Sequence, residues 1–327
     1  MNLPTAADKR RARERERGRN ARNPMDIPLE GWKDVAWRVY AGLNDNRIGL
    51  IAAGVTFYII LALFPALTAL VSVYGLLANP NSIGEQVSAL YGILPDAAIT
   101  LIRAQLDSLT QAPPGKLGFG FVVSLVAALW SVNTAMKSVF EGLNVTYAER
   151  EKRGFIRLNV VSFGFALGAV ATMMVYLIAI AVVPLVLNFV GMSTVAEALI
   201  RLVRWPILLV MSAVMIALLN RYGPSRAYAR WSWVTPGSLF VMVAWVAMSC
   251  VFSFYLANFA HYDKTYGALG TAIGVMVWTW LSTYILLVGA AINAEMEHQT
   301  AKDTTTKPVR PMGRRGAVMA DTVGEKS

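Results

Sequence analysis

Asn133, Lys137 and Glu141 recur every fourth residue in an otherwise apolar stretch, and Asn144 follows one turn on. A spacing of i, i+4, i+8 puts the first three on one face of a helix. Lys137 and Glu141 are one turn apart and can pair as ions. Charges deep in a membrane are costly and are tolerated mainly when paired or facing water. A stripe of this kind could therefore line a path for a substrate or ion. The competing reading places Lys137 and Glu141 at the membrane interface, with the lysine reaching back to the headgroups. The short apolar run ahead of Lys137 fits that reading. A second group is Tyr255, Asn258, Tyr262, Asp263 and Tyr266, on one short connection. These residues could gate or recognise a solute, or could form an aromatic belt with a tight turn. Asn293, Glu295 and Glu297 close the last apolar run, and a solvated helix end accounts for them.

Other chemistries find little support. Cys250 is the only cysteine, and His261 and His298 are the only histidines. The two histidines are expected on opposite faces of the membrane, so no zinc site of ordinary ligand number is expected, and neither is any other metal or cofactor. Cys250 lies in an apolar run and reads as a packing residue. No phosphate-binding G-x-x-x-x-G-K-[ST] and no G-x-S-x-G occurs, and no carboxylate pair has a spacing suited to hydrolysis. An enzyme is not expected.

The elements that must position these residues are helices in lipid. The chain of 327 residues is 56% hydrophobic and only 15% charged, against about a quarter charged in soluble domains. Six apolar runs are each long enough to span hydrocarbon as a helix: 48–78, 117–139, 158–190, 202–220, 234–258 and 267–295. They lack the alternation of a membrane barrel. The expected fold is all-α, a polytopic bundle of six transmembrane helices. Between the first two, Ile99, Ile102, Leu106 and Leu109 predict an extra amphipathic helix in an outside loop. Pro65 and Pro184 are expected to break or kink their spans. Gly164 with Gly168, and Gly270 with Gly274, offer small faces for helix packing.

Lys and Arg fall on alternate loops. Eleven precede residue 48, five lie in 137–157, three in 221–233 and six follow residue 299, while the other three loops share five. The positive-inside rule then puts both termini in the cytoplasm, as an even number of spans requires. The expected location is a membrane, with the first span kept as a signal anchor. Residues 1–31 read as a basic disordered tail, 32–297 as the membrane domain and 298–327 as a second disordered tail. Trp32 and Trp37 are expected to open an interfacial helix. Membrane lipids are the expected partners, with anionic headgroups at the Arg-rich tail. No aromatic residue interleaves the basic residues of that tail, so no specific nucleic acid is expected. A homo-oligomer is compatible with the sequence.

Ala52-Ala53-Gly54-Val55-Thr56-Phe57-Tyr58 is followed by Phe64-Pro65-Ala66-Leu67, and Leu129-Trp130-Ser131 runs on to Leu143-Asn144-Val145-Thr146-Tyr147. Arg221-Tyr222-Gly223-Pro224, Thr235-Pro236-Gly237, Phe252-Ser253-Phe254-Tyr255, Tyr266-Gly267-Ala268-Leu269-Gly270 and Gly289-Ala290-Ala291-Ile292-Asn293-Ala294-Glu295 follow in order. From Trp32 to Glu297 this series resembles the YihY/BrkB family, and its Ala52–Leu67 part looks like the family's first span. The resemblance implies a six-span bacterial inner-membrane protein with both ends in the cytoplasm. It also implies two functional labels: a tRNA-processing ribonuclease, and a virulence or serum-resistance factor with a suggested transport role. The residues argue against the ribonuclease, because no metal cluster or acid-base pair is present. The expected function is transport or export of a small solute, ion or envelope lipid. A non-transporting envelope scaffold is the alternative, and a membrane-tethered ribonuclease a remote one. One position departs from the resemblance. The family motif near the end of the last span reads Gly-Ala-Glu-Leu/Ile-Asn-Ala, and Ala291 stands in the Glu place. If that carboxylate couples ions in relatives, this chain lacks it, or Glu295 or Glu141 substitutes.

Overall fold

The computed structural model describes residues 17–77, 117–177, 179, 194–258, 268–306 and 308–325. For residues 64, 66–77, 117–121, 124, 177, 194–198, 201, 256–258, 268–269 and 271 the description covers the backbone alone. The named elements among them are helices: α1 (Leu29–Asp45), α2 (Ile48–Leu77), α3 (Leu117–Thr146), α4 (Phe155–Leu177), α5 (Thr194–Tyr222), α6 (Trp231–Asn258), α7 (Ala268–Gln299) and the short α8 (Val318–Asp321). A 3-10 turn, Pro24–Asp26, precedes them. An isolated bridge pairs Ala229 with Thr305.

Lipid offers no hydrogen bonds, so the apolar stretches close their backbone groups internally as helices. Hydroxyls within them fold back on the preceding turn: Thr56 donates to the Ala52 carbonyl, Thr146 to Gly142, Ser238 to Val234 and Thr279 to Val275, at 2.7–2.8 Å. Four segments are long and apolar enough to cross a membrane: Phe155–Tyr176, Leu202–Tyr222, Trp231–Tyr255 and Ala272–Gln299. A fifth candidate joins Leu29–Asp45 to Ile48–Leu63 across a bend of 61°. Arg47 makes that bend with φ of 50°, in the left-handed region. The expected second span, 117–139, lies within α3. The expected outside helix and Pro184 lie beyond the described residues. α2 runs on as helix through Pro65 to Leu77, which excludes an interruption there and leaves a kink within the helix as the remaining expectation. Pro206 and Pro236 likewise lie inside helices.

Among the described residues a core lies at the end of the bundle that carries the basic loops. Ile48, Ala52 and Val55 of α2 pack there against Val139 and Leu143 of α3 and against Leu287, Ala290 and Ala294 of α7, with Tyr147 closing the cluster. Small residues at four-residue spacing let the helices approach closely. α1 buries Gly31, Val35 and Val39 on one face and exposes Trp37 and Tyr40 on the other. That is the pattern of a helix lying at an interface.

Both tails, read from composition as disordered, are folded in their described parts. Ala21 and Ile27 pack with Trp233 and Met296. The Ala301 N–H donates to the Arg19 carbonyl, and Thr300 Oγ1 donates to Ala21 at 2.7 Å. In the C-terminal segment the buried Arg315 guanidinium donates to the carbonyls of Ala301, Lys302, Arg310 and Ala320. One cation gathering backbone carbonyls does here what an apolar patch does elsewhere. Hydropathy and composition carry no trace of it.

Candidate functional site

The polar groups of α3 meet partners on α4. Asn133 is fully buried; its Nδ2 donates to Asn159 Oδ1 at 2.8 Å, and Ser162 Oγ donates to its Oδ1. Lys137 Nζ also reaches Asn159 Oδ1, at 3.1 Å, and lies over the Trp130 ring at 5.6 Å. Of the two partners open to it, Lys137 takes Asn159 rather than Glu141, which is exposed. Asn144 is not in the cluster. It staples loops at the basic end, donating to Glu151 Oε2 at 3.1 Å and accepting from the Ser225 N–H at 2.7 Å. The stripe on one helix is thus resolved into an interhelical cluster and a loop staple. Asn159 and Ser162, at i, i+3 spacing on α4, are the members that sequence reading missed. Their spacing was visible, but their partner helix was not.

The second sequence group has one described side chain. Tyr255 is half-exposed on α6, Asn258 ends α6 with its backbone alone described, and Tyr262, Asp263 and Tyr266 lie outside the described residues. The proposed glycine faces also fall differently. Among the described residues a Cβ at Gly164 or Gly274 would meet nothing, and one at Gly168 would meet Met215 Cε at 3.3 Å. Gly270 is buried. α6 and α7 approach closely, and a Cβ on Gly237 would collide with the Gly289 carbonyl oxygen and Asn293 Oδ1.

Asn293 is no solvated helix end. It is fully buried, accepts from the Gly237 N–H at 2.8 Å and donates to the Val234 carbonyl at 3.1 Å. It therefore satisfies backbone groups beside Pro236, which has no N–H to offer. Glu297 is equally buried. Its Oε1 accepts from Arg226 Nη2 at 2.6 Å, with both side chains at 0% exposure, and its Oε2 accepts from Thr304 at 2.7 Å. The Arg226 guanidinium lies over the Tyr147 ring at 4.4 Å. Glu295, a sequence candidate to replace the missing carboxylate at Ala291, pairs with Arg38 at 2.6 Å.

Beside this ion pair a cavity of about 460 Å³ opens between the segment before α4, the first turns of α4 and the loop after α5. Arg153 braces one wall, donating to Glu151 and to the Tyr222 and Gly223 carbonyls. Burial would raise the Glu151 pKa. The Arg153 hydrogen bonds and that from Asn144 outweigh it, and the carboxyl falls to about 2. Among the described residues no group of three His, Cys, Asp or Glu side chains could hold a metal ion.

A family model described as Virulence factor BrkB matches residues 39–312. The chain is 28% identical over 248 residues to the ribonuclease-like protein YfkH of Bacillus subtilis (strain 168), an alignment covering 74% of this chain and 88% of that protein. It is 28% identical over 268 residues to a UPF0761 membrane protein of Xanthomonas campestris pv. campestris (strain B100), covering 80% of this chain and 59% of the relative. A UPF0761 membrane protein of Verminephrobacter eiseniae (strain EF01-2) is 27% identical over 276 residues, 82% of this chain and 63% of its own length. The chain thus spans about three fifths of those two longer relatives. No solved structure matches.

Proposed function

Because the chain belongs to the Virulence factor BrkB family of membrane proteins, we propose that it is a bacterial inner-membrane transporter or exporter of a small solute, ion or envelope lipid. In this reading it has six spans and both termini in the cytoplasm. The observation that carries the reading is the cluster of Asn133, Lys137, Asn159 and Ser162 between α3 and α4. Polar groups inside apolar helices are costly and tend to serve a path. Separation of α3 from α4 along this seam would exchange their mutual hydrogen bonds for bonds to a passing solute.

The test is flux. Full-length protein in proteoliposomes is offered labelled inorganic ions, amino acids and fluorescent phospholipids. Flux above empty liposomes in one class, abolished in Asn133→Ala and Lys137→Gln variants that still elute as folded protein, is the expected result. Folded protein that moves none of these classes would sink the proposal.

A second reading, a non-transporting scaffold, draws on the same contacts, because the cluster is satisfied by its own members. It expects the two variants to change thermal stability alone. The name of the Bacillus relative keeps a nuclease test worthwhile. We expect RNA incubated with the purified chain to stay intact with or without magnesium. Cleavage that a chelator stops would reverse that expectation.

A further inference from the structure

We propose that the cleft between α4 and the loop after α5 binds the phosphate of an anionic phospholipid. The site is distinct from the Arg-rich start of the chain, and its occupancy does not depend on transport. Lys152, Arg153 and Arg157 line the cleft with Tyr222 and Tyr228, and no carboxylate is in the lining among the described residues. Charge balance behind the wall is uneven. Glu149 answers Lys152, Glu151 answers Arg153 and Glu297 answers Arg226. Arg157 has no partner among the described residues. Nor has Arg221 a carboxylate: it is 9% exposed, its Nε and Nη1 lack hydrogen-bond partners, and it stacks on Trp231 at 4.2 Å and on the cleft residue Tyr222 at 5.3 Å. A buried cation without a counter-ion is costly unless an anion lies near. A phosphate in the cleft would add an anion beside this group of cations, with Arg157 and Lys152 in reach of its oxygens and the tyrosine hydroxyls as further donors.

The apolar lining says which phosphate. Val161 and Phe165 of α4 line the cleft. On the same helix Phe155, Ile156 and Val160 are exposed at 75%, 78% and 65%. Such residues belong in acyl chains. A headgroup in the cleft could therefore keep its tails on the apolar surface of α4, which a soluble phosphate ester could not exploit.

Full-length protein in mild detergent is titrated with dioleoyl phosphatidylglycerol, and bound lipid is counted by native mass spectrometry. Dioleoyl phosphatidylcholine is the zwitterionic control, sn-glycerol 3-phosphate the soluble phosphate, and Arg22→Glu a basic-face control outside the cleft. Saturable retention of one phosphatidylglycerol per chain is expected, with Arg157→Glu at least about tenfold weaker, since it loses a charge-assisted hydrogen bond and sets a carboxylate against the phosphate. Arg157→Lys should keep most of the affinity, and Arg22→Glu should match wild type. Arg157 is exposed, so these variants should keep the wild-type melting temperature. Equal retention of phosphatidylcholine, an unchanged Arg157→Glu, or an equal loss in Arg22→Glu would overturn the site. Competition by glycerol phosphate at equal potency would overturn the lipid and leave a soluble phosphate ester as its occupant.

Discussion

Gly237 and Gly289 sit where α6 and α7 come closest, and neither has room for a methyl group. At Gly289 a Cβ would fall against a Val241 methyl and 2.7 Å from the Gly237 carbonyl oxygen. Both obstacles include backbone, so relief would require the helices to part. Gly237→Ala and Gly289→Ala should each destabilise the protein by at least the 1–3 kcal/mol (order of magnitude) typical of overpacking, seen as lost monodisperse protein after extraction. Gly164→Ala and Gly274→Ala face open space and should extract like wild type. Loss in the second pair with survival of the first would invert this account. Asn133→Ala is the polar counterpart. It leaves Asn159 and Ser162 with fewer partners and should lower stability by about 1 kcal/mol, the scale of one interhelical polar contact in a membrane, read from thermal melts in detergent. Glycine pairs are visible in any sequence, but which of them touch is decided by helix rotation. Gly164-x-x-x-Gly168 was the more obvious pattern, and Gly237 and Gly289 are 52 residues apart in the chain.

The connections between helices at the basic end are held by charge rather than by apolar contact. Glu149 joins Lys152 to the N–H of Val318 in α8, Glu151 joins Asn144 to Arg153, and Glu297 joins Arg226 to Thr304. The Glu151 carboxyl, at about 2, lies below its ordinary 4.5. A carboxyl lowered on folding stabilises fully above its unfolded value and loses that contribution as pH falls through the folded one. The stability gap between wild type and Glu151→Gln should be constant above pH 5 and should shrink from about pH 4.5 towards pH 2. A gap that widens on acidification would contradict the assignment. The Arg226–Glu297 pair is fully buried, so removing one partner strands the other. Arg226→Met or Glu297→Met alone should cost about 3–5 kcal/mol, and the double variant clearly less than the sum, measured as a double-mutant cycle. The apolar helices were legible in the sequence because length and hydropathy suffice to find them. These loop and tail contacts were not, because Arg315 or Glu297 in a polar segment looks the same whether solvated or buried. α1 was readable for the opposite reason: its apolar face and its exposed Trp37 and Tyr40 follow the helical period.

Taken as one object, the molecule has an apolar flank and a charged, interlocked end. Large apolar side chains such as Leu202, Ile207 and Val210 of α5 are more than half exposed, an arrangement that water would not tolerate but acyl chains require. The opposite character gathers where the 147–154 and 221–230 loops meet residues 17–27 and 300–325. There the Ala227 N–H bonds to the Gly316 carbonyl, and Arg19 bonds to Gln299 and Gly324. Elements from residues 17–27 and 300–325 and from two internal loops therefore share one end of the bundle, as segments on one side of a membrane would. That sharing agrees with the alternation of Lys and Arg read from the sequence, although hydrogen bonds and charge bias are separate observations. Which side it is rests on charge, and impermeant thiol labelling in intact cells decides it. In a Cys250→Ala background, cysteines at Arg150 and Met312, both exposed, should react only after the inner membrane is opened. A cysteine at Lys264, in the loop expected outside, should react in cells whose outer barrier alone is permeabilised. Labelling at 150 or 312 before the inner membrane is opened would reverse the orientation and move the cleft's lipid to the outer leaflet. Disagreement between 150 and 312 would break the shared end itself, since Glu149 and Val318 are bonded across it at 2.7 Å.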